Sequence, residues 1–380
     1  MIHYNSYKFR IYPNCVQCKK LKSIFGACRF VYNYFLNQKT EYYHKTGKTI
    51  TRFEQCKLLS ELKKQEEYKW LNDAIAQSLQ GEIAHLDSAF QRFFNKKGKY
   101  PNFKKAKRKN TFYIPQHFKI INNRLYIPKF KNDGIKIIMH RPINGKISSI
   151  TIIKTPTDKY YASLLVEEDI KPLSRSEKEV GIDLGIKDLI VTSDGCKYSN
   201  PKFLKKYEIK LKKAQRHLSR KQKGSRSSEK QRRKVALIHE KITNCRKDNL
   251  HKITKDLVSK YDVIYMENLH VKGMLSNHVL AKAIGDSSFS HLQSMIEYKT
   301  KIYGKQFFKI DRWFPSTKAC SSCGYIMKKI PLNIRTWTCP QCGIYHDRDI
   351  NAAKNILKEG KFEKSAGAVD NTNGGFNENR

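Results

Sequence analysis

Acid is scarce in this chain. Of its 380 residues, 34 are Asp or Glu against 75 Lys or Arg, which leaves a formal net charge of +41. Solubility alone does not call for that excess. A polyanionic partner is the natural counterweight, and phosphate backbones are the commonest polyanion. Long apolar runs are also missing. None approaches the roughly 18 residues of a membrane span, and the opening MIHYNSYKFRIYP lacks the apolar core of a signal peptide. No GxxxxGK[ST] phosphate loop, no Ser/His/Asp grouping, no convincing histidine pair and no internal repeat occurs. These absences argue against a membrane protein, a P-loop enzyme and a serine hydrolase. Disorder throughout is excluded by a hydrophobic content of 39%.

The few acids that are present include three in informative settings. Asp183 lies in VGIDLGIKDLIVTSDG, Glu267 ends YDVIYMENL, and Asp349 opens HDRDINAAKNIL. In VGIDLG, Val180, Ile182 and Leu184 alternate onto one face, and Asp183 shares the other with Gly181 and Gly185. Glycines beside a carboxylate leave room for a metal and a phosphate to approach. Val263 to Met266 reads as a buried strand with Glu267 at its end, where ligands of α/β sheets gather. Asp349 falls at a helix start, with Ala352, Ala353 and Ile356 on its face. Each acid alone is more simply a turn acid, a solvated strand end or a helix cap. Together they suit two divalent ions roughly 4 Å apart, a standard device for phosphodiester cleavage. Asp188, Asp194, Asp262, Asp311 and Asp347 are the competing acids, with Asp347 the closest rival to Asp349.

Ten cysteines occur, and four form two CxxC units. Cys320-x2-Cys323, fifteen residues, then Cys339-x2-Cys342 is a zinc-ribbon spacing, each pair followed by glycine. One structural Zn²⁺ is expected there. Thiols used this way fit a reducing, intracellular setting: the cytoplasm, and the nucleoid of a prokaryote. Cys15 and Cys18 share the spacing without a second pair nearby.

Periodicity orders the rest. Residues 5–12 alternate as a strand, with Tyr7, Phe9 and Ile11 on one face. Helical stripes follow from about 15 to 95, including Leu79, Ile83, Leu86 and Phe90. Strand-like runs fill 111 to about 170. Residues 180–198 read as a hairpin or meander turning at Ser193-Asp194-Gly195. A helical hairpin spans about 201–258, then come a strand (261–267), a helix (287–303), a strand (306–311), the cysteine knot and a last helix from 349. That order is RNase H-like.

Two segments concentrate the positive charge. KKGKYPNFKKAKRK (96–109) has eight basic residues and no acid, and 205–234 holds fourteen basic and two acidic residues. Lys/Arg runs are usually solvated faces. These flank the acidic motifs, and the first interleaves with Phe93, Phe94, Tyr100 and Phe103, as in proteins that hold RNA or single strands by phosphate contacts and stacking. The candidate phosphate contacts are Lys96, Lys97, Lys99, Lys104, Lys105, Lys107 and Arg108, with Arg220, Lys221, Arg226, Arg232 and Arg233.

These motifs, with YKFRIYP, GACRFVYNYFLN, KWLNDAIAQSLQ, MENLHVKGML, FPSTKACSSCGY and RTWTCPQCG, resemble the TnpB (OrfB) family of insertion-sequence proteins, small relatives of type V CRISPR effectors, over about residues 5–358. The resemblance implies an α/β fold with a RuvC/RNase H-like nuclease core carrying Asp183, Glu267 and Asp349. It implies an inserted zinc ribbon and an N-terminal wedge-like β-barrel interrupted by a helical recognition domain. The expected layout is a first barrel strand (1–14), helical insert (15–100), rest of the barrel (101–175), nuclease core with basic hairpin (176–316), ribbon (317–343), end of the core (344–358) and a disordered tail (359–380). Implied too are two Mg²⁺ or Mn²⁺ ions on the three acids, a guide RNA, and double- and single-stranded DNA as partners, with base pairing supplying sequence specificity. Membrane partners are not expected. The reading is a metal-dependent, RNA-guided DNA endonuclease of a transposable element. Its alternatives are a transposase that joins DNA ends and an RNA-loaded repressor that no longer cuts.

Overall fold

The computed structural model describes residues 2–106, 110–331 and 334–366, in two units divided between Asp169 and Ile170. The first is built around the opening strand, β1 (Ile2–Tyr12). Its alternation puts Phe9 and Ile11 fully inside. A 32-residue helix follows this strand, and Asn14 marks the change. Its side chain accepts from Gln17 N while Gln17 Oε1 accepts from Asn14 N, a capping box that starts α1 (Cys15–Thr46). Gly47, at φ 68°, closes that helix. Then come α2 (Arg52–Leu62), a 3₁₀ turn (Glu66–Asp73) and α3 (Ala76–Phe94). Leu79, Ile83, Leu86 and Phe90 of α3 are buried, as their spacing requires.

The remaining strands are β2 (Asn110–Ile114), β3 (Lys119–Ile121), β4 (Arg124–Tyr126), β5 (Ile135–Ile138), β6 (Lys146–Lys154) and β7 (Tyr160–Asp169). They join β1 in one antiparallel sheet, order β2-β6-β7-β1-β5-β4-β3. β1 is therefore interior to a sheet whose other strands lie beyond residue 109, and the helices interrupt it. Its pairing with β7 runs from Ile2↔Asp169 to Ile11↔Tyr160.

The second unit starts earlier than expected. Leu173 N donates to Tyr303 O at 3.1 Å, and Lys305 Nζ donates to Ser174 O at 2.6 Å. Residues 170–175 thus belong here rather than to the first sheet. The strands β8 (Glu179–Asp183), β9 (Asp188–Thr192) and β10 (Lys197–Ser199) form a meander, and Gly195 takes φ 90° in its second turn. The hairpin α4 (Phe203–Ser219) and α5 (Arg226–Lys260) leads to β11 (Val263–Glu267). Short α6 (Val271–Met274) and α7 (Ala281–Ser287) precede α8 (Phe289–Ile302) and β12 (Gln306–Ile310). The sheet order is β10-β9-β8-β11-β12, antiparallel on the meander side and parallel across β8-β11-β12. The ribbon hairpin β13 (Thr336–Thr338) and β14 (Tyr345–Asp347) feeds α9 (Arg348–Ser365). Residues 359–365, expected in a disordered tail, are the last turns of that helix, and Gly360 is buried there. The tail beyond 366 lies outside the described residues.

Both faces of the sheet are covered. Val180, Ile182, Ile264 and Met266 pack with Leu257, Val258, Leu292 and Ile296 of α5 and α8. The alternate residues Val263 and Tyr265 pack with Ile356 of α9. On that face α9 comes exceptionally near. A Cβ at Gly181 would stand 2.2 Å from Ala353 O and 2.5 Å from Leu357 N, and one at Gly360 would stand 2.2 Å from the Tyr265 ring. No helix among the described residues is long and apolar enough to cross a membrane.

Gly181→Ala should therefore push α9 off the sheet. The expected cost is about 1–3 kcal/mol in urea unfolding, the range of overpacked cores. An unchanged midpoint would show that α9 yields freely.

Candidate active site

The end of β8, the end of β11 and the first turn of α9 deliver Asp183, Glu267 and Asp349 to one region of the second unit. All three are half-buried. Asp183 feels both others. Burial, then the charges of Glu267 and Asp349, push its carboxyl up to about 7, against a bond from the Leu184 amide and the charge of Arg348. Burial also raises Glu267, opposed by a hydrogen bond from the buried Ser316 hydroxyl. Asp349 is met by Arg335, whose guanidinium lies 3.1 and 3.3 Å from its two oxygens.

Asp347, the closest rival, is occupied elsewhere. One oxygen caps α9, accepting from the amides of Asp349 at 3.0 Å and Ile350 at 3.1 Å, and the other takes Lys197 Nζ at 2.7 Å. Asp194 accepts from Thr192 and Tyr261, and Asp311 caps the Trp313 amide. Asp262 binds Lys305 and the amides of Ser176 and Glu177. Those bonds outweigh its burial and hold its pKa near 2. Asp183, Glu267 and Asp349 come from three elements and form a hard oxygen donor set under mutual repulsion, which suits divalent cations of the Mg²⁺ class. The sequence reading did not anticipate Ser316, Arg335 or Lys197. Ser316 and Arg335 lie within quoted motifs and Lys197 two residues past one, but only the fold turns each toward an acid.

The four cysteines form a tighter cluster. Their sulfurs lie within 4.8 Å of one another, the only group of three or more metal-ligating side chains so gathered among the described residues. Both knuckles have the same construction: Gly324 N donates to Cys320 O and Gly343 N to Cys339 O, each at 2.9 Å, with φ 82° and 71° at the glycines. A closed four-sulfur set fits a structural zinc. Around it, His346 Nε2 lies 3.0 Å from Cys320 Sγ, and its ring packs on Trp337. The module is bolted to α9. Ser321 N donates to Asn351 Oδ1 at 2.9 Å, Asn351 Nδ2 to Ala319 O at 2.7 Å, and Asn355 Nδ2 to the carbonyls of Ser316 and Ala319 at 2.7 Å.

The basic candidates divide between the two units. Lys96, Lys97, Lys99 and Lys105 are exposed in the first. Lys104 departs from expectation: its ammonium pairs with Glu82, which is 1% exposed, and lies 4.1 Å from the Tyr32 ring centre. Neutralising a buried carboxylate is its task, which leaves it ill placed for a phosphate. Lys107 and Arg108 lie outside the described residues. Arg220 and Lys221 are exposed at the tip of the α4–α5 hairpin, and Arg226, Arg232 and Arg233 are exposed on the first turns of α5. Arg232 also pairs with Glu229 at 3.5 Å.

Comparison with known proteins agrees with this architecture. A protein of Streptomyces pristinaespiralis, named as a candidate RNA-guided DNA endonuclease, is 39% identical over 366 residues, 95% of this chain and 90% of its own length. The chain belongs to the TnpB (OrfB) family. A second family relative, the candidate RNA-guided DNA endonuclease InsQ of Escherichia coli K12, is 30% identical over 96% of this chain and 94% of its own. The family models described as a probable transposase and as a Cas12f1-like TNB domain match residues 163–278 and 289–356. A third, described as a helix-turn-helix domain, matches 1–48. Here that segment is a strand and one 32-residue helix, not two helices about a turn. The fold resembles the protein of a Cas12f1–sgRNA–target DNA complex (TM-score 0.56, 16% identity, 94% of this chain and 99% of that one). It also resembles the mini-RNA-guided endonuclease CRISPR-Cas_phi3 (TM-score 0.50, 10% identity, 94% and 92%).

Two outcomes follow for the family member studied. A carboxyl raised on folding holds a proton that the unfolded chain has released, so metal-free stability falls as pH rises from about 4 through about 7. In buffer free of magnesium and manganese, Asp183→Asn should melt higher than wild type at pH 8, and the two should converge toward pH 4. Equal melting at pH 8 would remove the electrostatic coupling. Separately, Cys339→Ala should abolish zinc binding, read by elemental analysis, and lower the melting temperature. Small fingers draw about 10–16 kcal/mol of apparent binding energy from zinc. Zinc retained at full stoichiometry would refute the ligand set.

Proposed function

We propose that this chain is an RNA-guided DNA endonuclease of a transposable element, with Asp183, Glu267 and Asp349 as its hydrolytic centre. The observation that carries this is the arrival of three carboxylates from β8, β11 and α9 in one electrostatically coupled region of an otherwise strongly basic protein. Support comes from the relatives' names and from the fold shared with Cas12f1. The three acids would hold two Mg²⁺ or Mn²⁺ ions. The chemistry such a pair supplies is water activation and neutralisation of the leaving oxygen.

The chain's own residues prepare that site. Ser316 fixes the rotamer of Glu267 by hydrogen bonding one carboxyl oxygen. Asp347, held by Lys197, sets the first turn of α9 and with it the Asp349 backbone. Arg335 offsets charge on Asp349. We assign the first unit's sheet to the wedge-like barrel and its helices to recognition of the guide–target duplex. Lys96, Lys97, Lys99 and Lys105, with Arg220, Lys221, Arg226, Arg232 and Arg233, would meet RNA and DNA phosphates, contacts that position without reading sequence. The four-cysteine module takes one structural Zn²⁺. Double-stranded DNA is the target, one strand of it presented to the carboxylates, and the nucleoid is the place of action.

The test begins with sequencing the RNA that copurifies with the protein. A plasmid matching that guide should be cut in magnesium by wild type and left intact by Asp183→Ala, which should still carry the RNA. Cleavage surviving the substitution would overturn the site, and joined DNA ends would favour the transposase reading.

A further inference from the structure

Trp313 is 84% exposed. It stands in the segment that leaves β12. Strand β12 runs parallel to β11, with Ile310 in register with Glu267, so residues 311–316 emerge beside that carboxylate at the carboxyl ends of parallel strands. Hydrogen bonds along its length hold the segment. Asp311 N donates to Glu363 Oε1 at 3.1 Å, Trp313 N to Asp311 Oδ1 at 2.6 Å, Arg312 Nε to Asn268 O at 3.2 Å, and the Ser316 hydroxyl to Glu267 itself. A bulky aromatic is thus displayed on a braced turn, not a slack one. Arg312 before Trp313 bonds the carbonyl of Asn268, and Ser316 after it bonds Glu267. The exposed Arg312 is anchored to that Asn268 carbonyl through Nε.

Resting on the nuclease reading, we propose that the Trp313 indole is a stacking platform for a nucleobase of the single DNA strand whose phosphodiester occupies the carboxylate site, with Arg312 meeting an adjoining phosphate. Every base offers a flat apolar face, so the contact is tolerant of sequence, as a cut site chosen by base pairing elsewhere requires. Stacking also fixes the backbone about a nucleotide from the acids.

The test uses the full chain with its copurified RNA. Three tryptophans occur, Trp70, Trp313 and Trp337. Trp337 is buried and Trp70 is 41% exposed, so both arms carry Trp70→Phe, which leaves Trp313 as the exposed emitter for intrinsic fluorescence. In the Asp183→Ala background, short oligothymidylate should quench and shift the emission, and Trp313→Phe should abolish that response. In the cleaving protein, Trp313→Ala should raise KM for single-stranded DNA about tenfold, Trp313→Phe should restore it, and melting temperature and zinc content should match wild type in both. Quenching that persists in Trp313→Phe, or an unchanged KM in Trp313→Ala, overturns the proposal. Quenching already complete on RNA loading overturns the assignment to DNA. A wild type that is quenched by DNA yet cuts nothing sinks the nuclease reading and leaves the platform standing.

Discussion

Helix α9 lies so near strand β8 that a methyl group at Gly181 would collide with the helix backbone. That closeness is what the site depends on. Asp183 follows Gly181 by two residues, and Asp349 opens α9 four residues before Ala353, the residue whose carbonyl faces Gly181. With Ala352 and Ala353 fully buried, the helix rests on the sheet through small side chains. The two carboxylates therefore cannot drift apart without unpacking the helix. Glu267 enters from β11, the next strand. The packing of a hydrophobic layer buries Asp183 and crowds it with like charges; burial first and those charges second raise its carboxyl and create a demand for cations.

Around this knot of negative charge the protein is overwhelmingly positive. The nearby cations take up particular tasks: Arg335 on Asp349, Lys197 on the capping Asp347. Others stay exposed on the first unit's connecting segment and on the α4–α5 hairpin. A field of that sign draws a polyanion in from solution, while the acids stay too crowded to accept it without neutralising ions.

Much of this was legible in the residues because periodicity and ligand spacing are local properties. Alternation exposed β1 and β8, the helical stripe exposed α3, and CxxC spacing identified the cysteine cluster. The preference for Asp349 over Asp347 rests on helix-face geometry, and the structure adds that Asp347 is the cap. What escaped is pairing between residues far apart. Lys104 looked like one member of a basic run, yet its ammonium is committed to Glu82, which helix α3 buries. Arg335 opens the RTWTCPQCG motif, whose reading concerned only its cysteines, and it meets Asp349 only because the ribbon hairpin folds back. The end of α9 was misjudged because GKFEK offers few apolar residues. Gly360 belongs in the helix for the space it leaves to Tyr265, a reason that resides in the partner strand.

The interior place of β1 has a consequence for biosynthesis. The strand made first is flanked by β7 and β5, and Ile2 finds its partner only at Asp169. On the ribosome it must wait, unpaired along both edges, while every helix of its unit is being made. Such distant closure is the slow kind, with exposed strand edges prone to stray association. Lys8 and Arg10, set between its core-facing residues, put charge on that waiting strand and make it a poorer template for another copy.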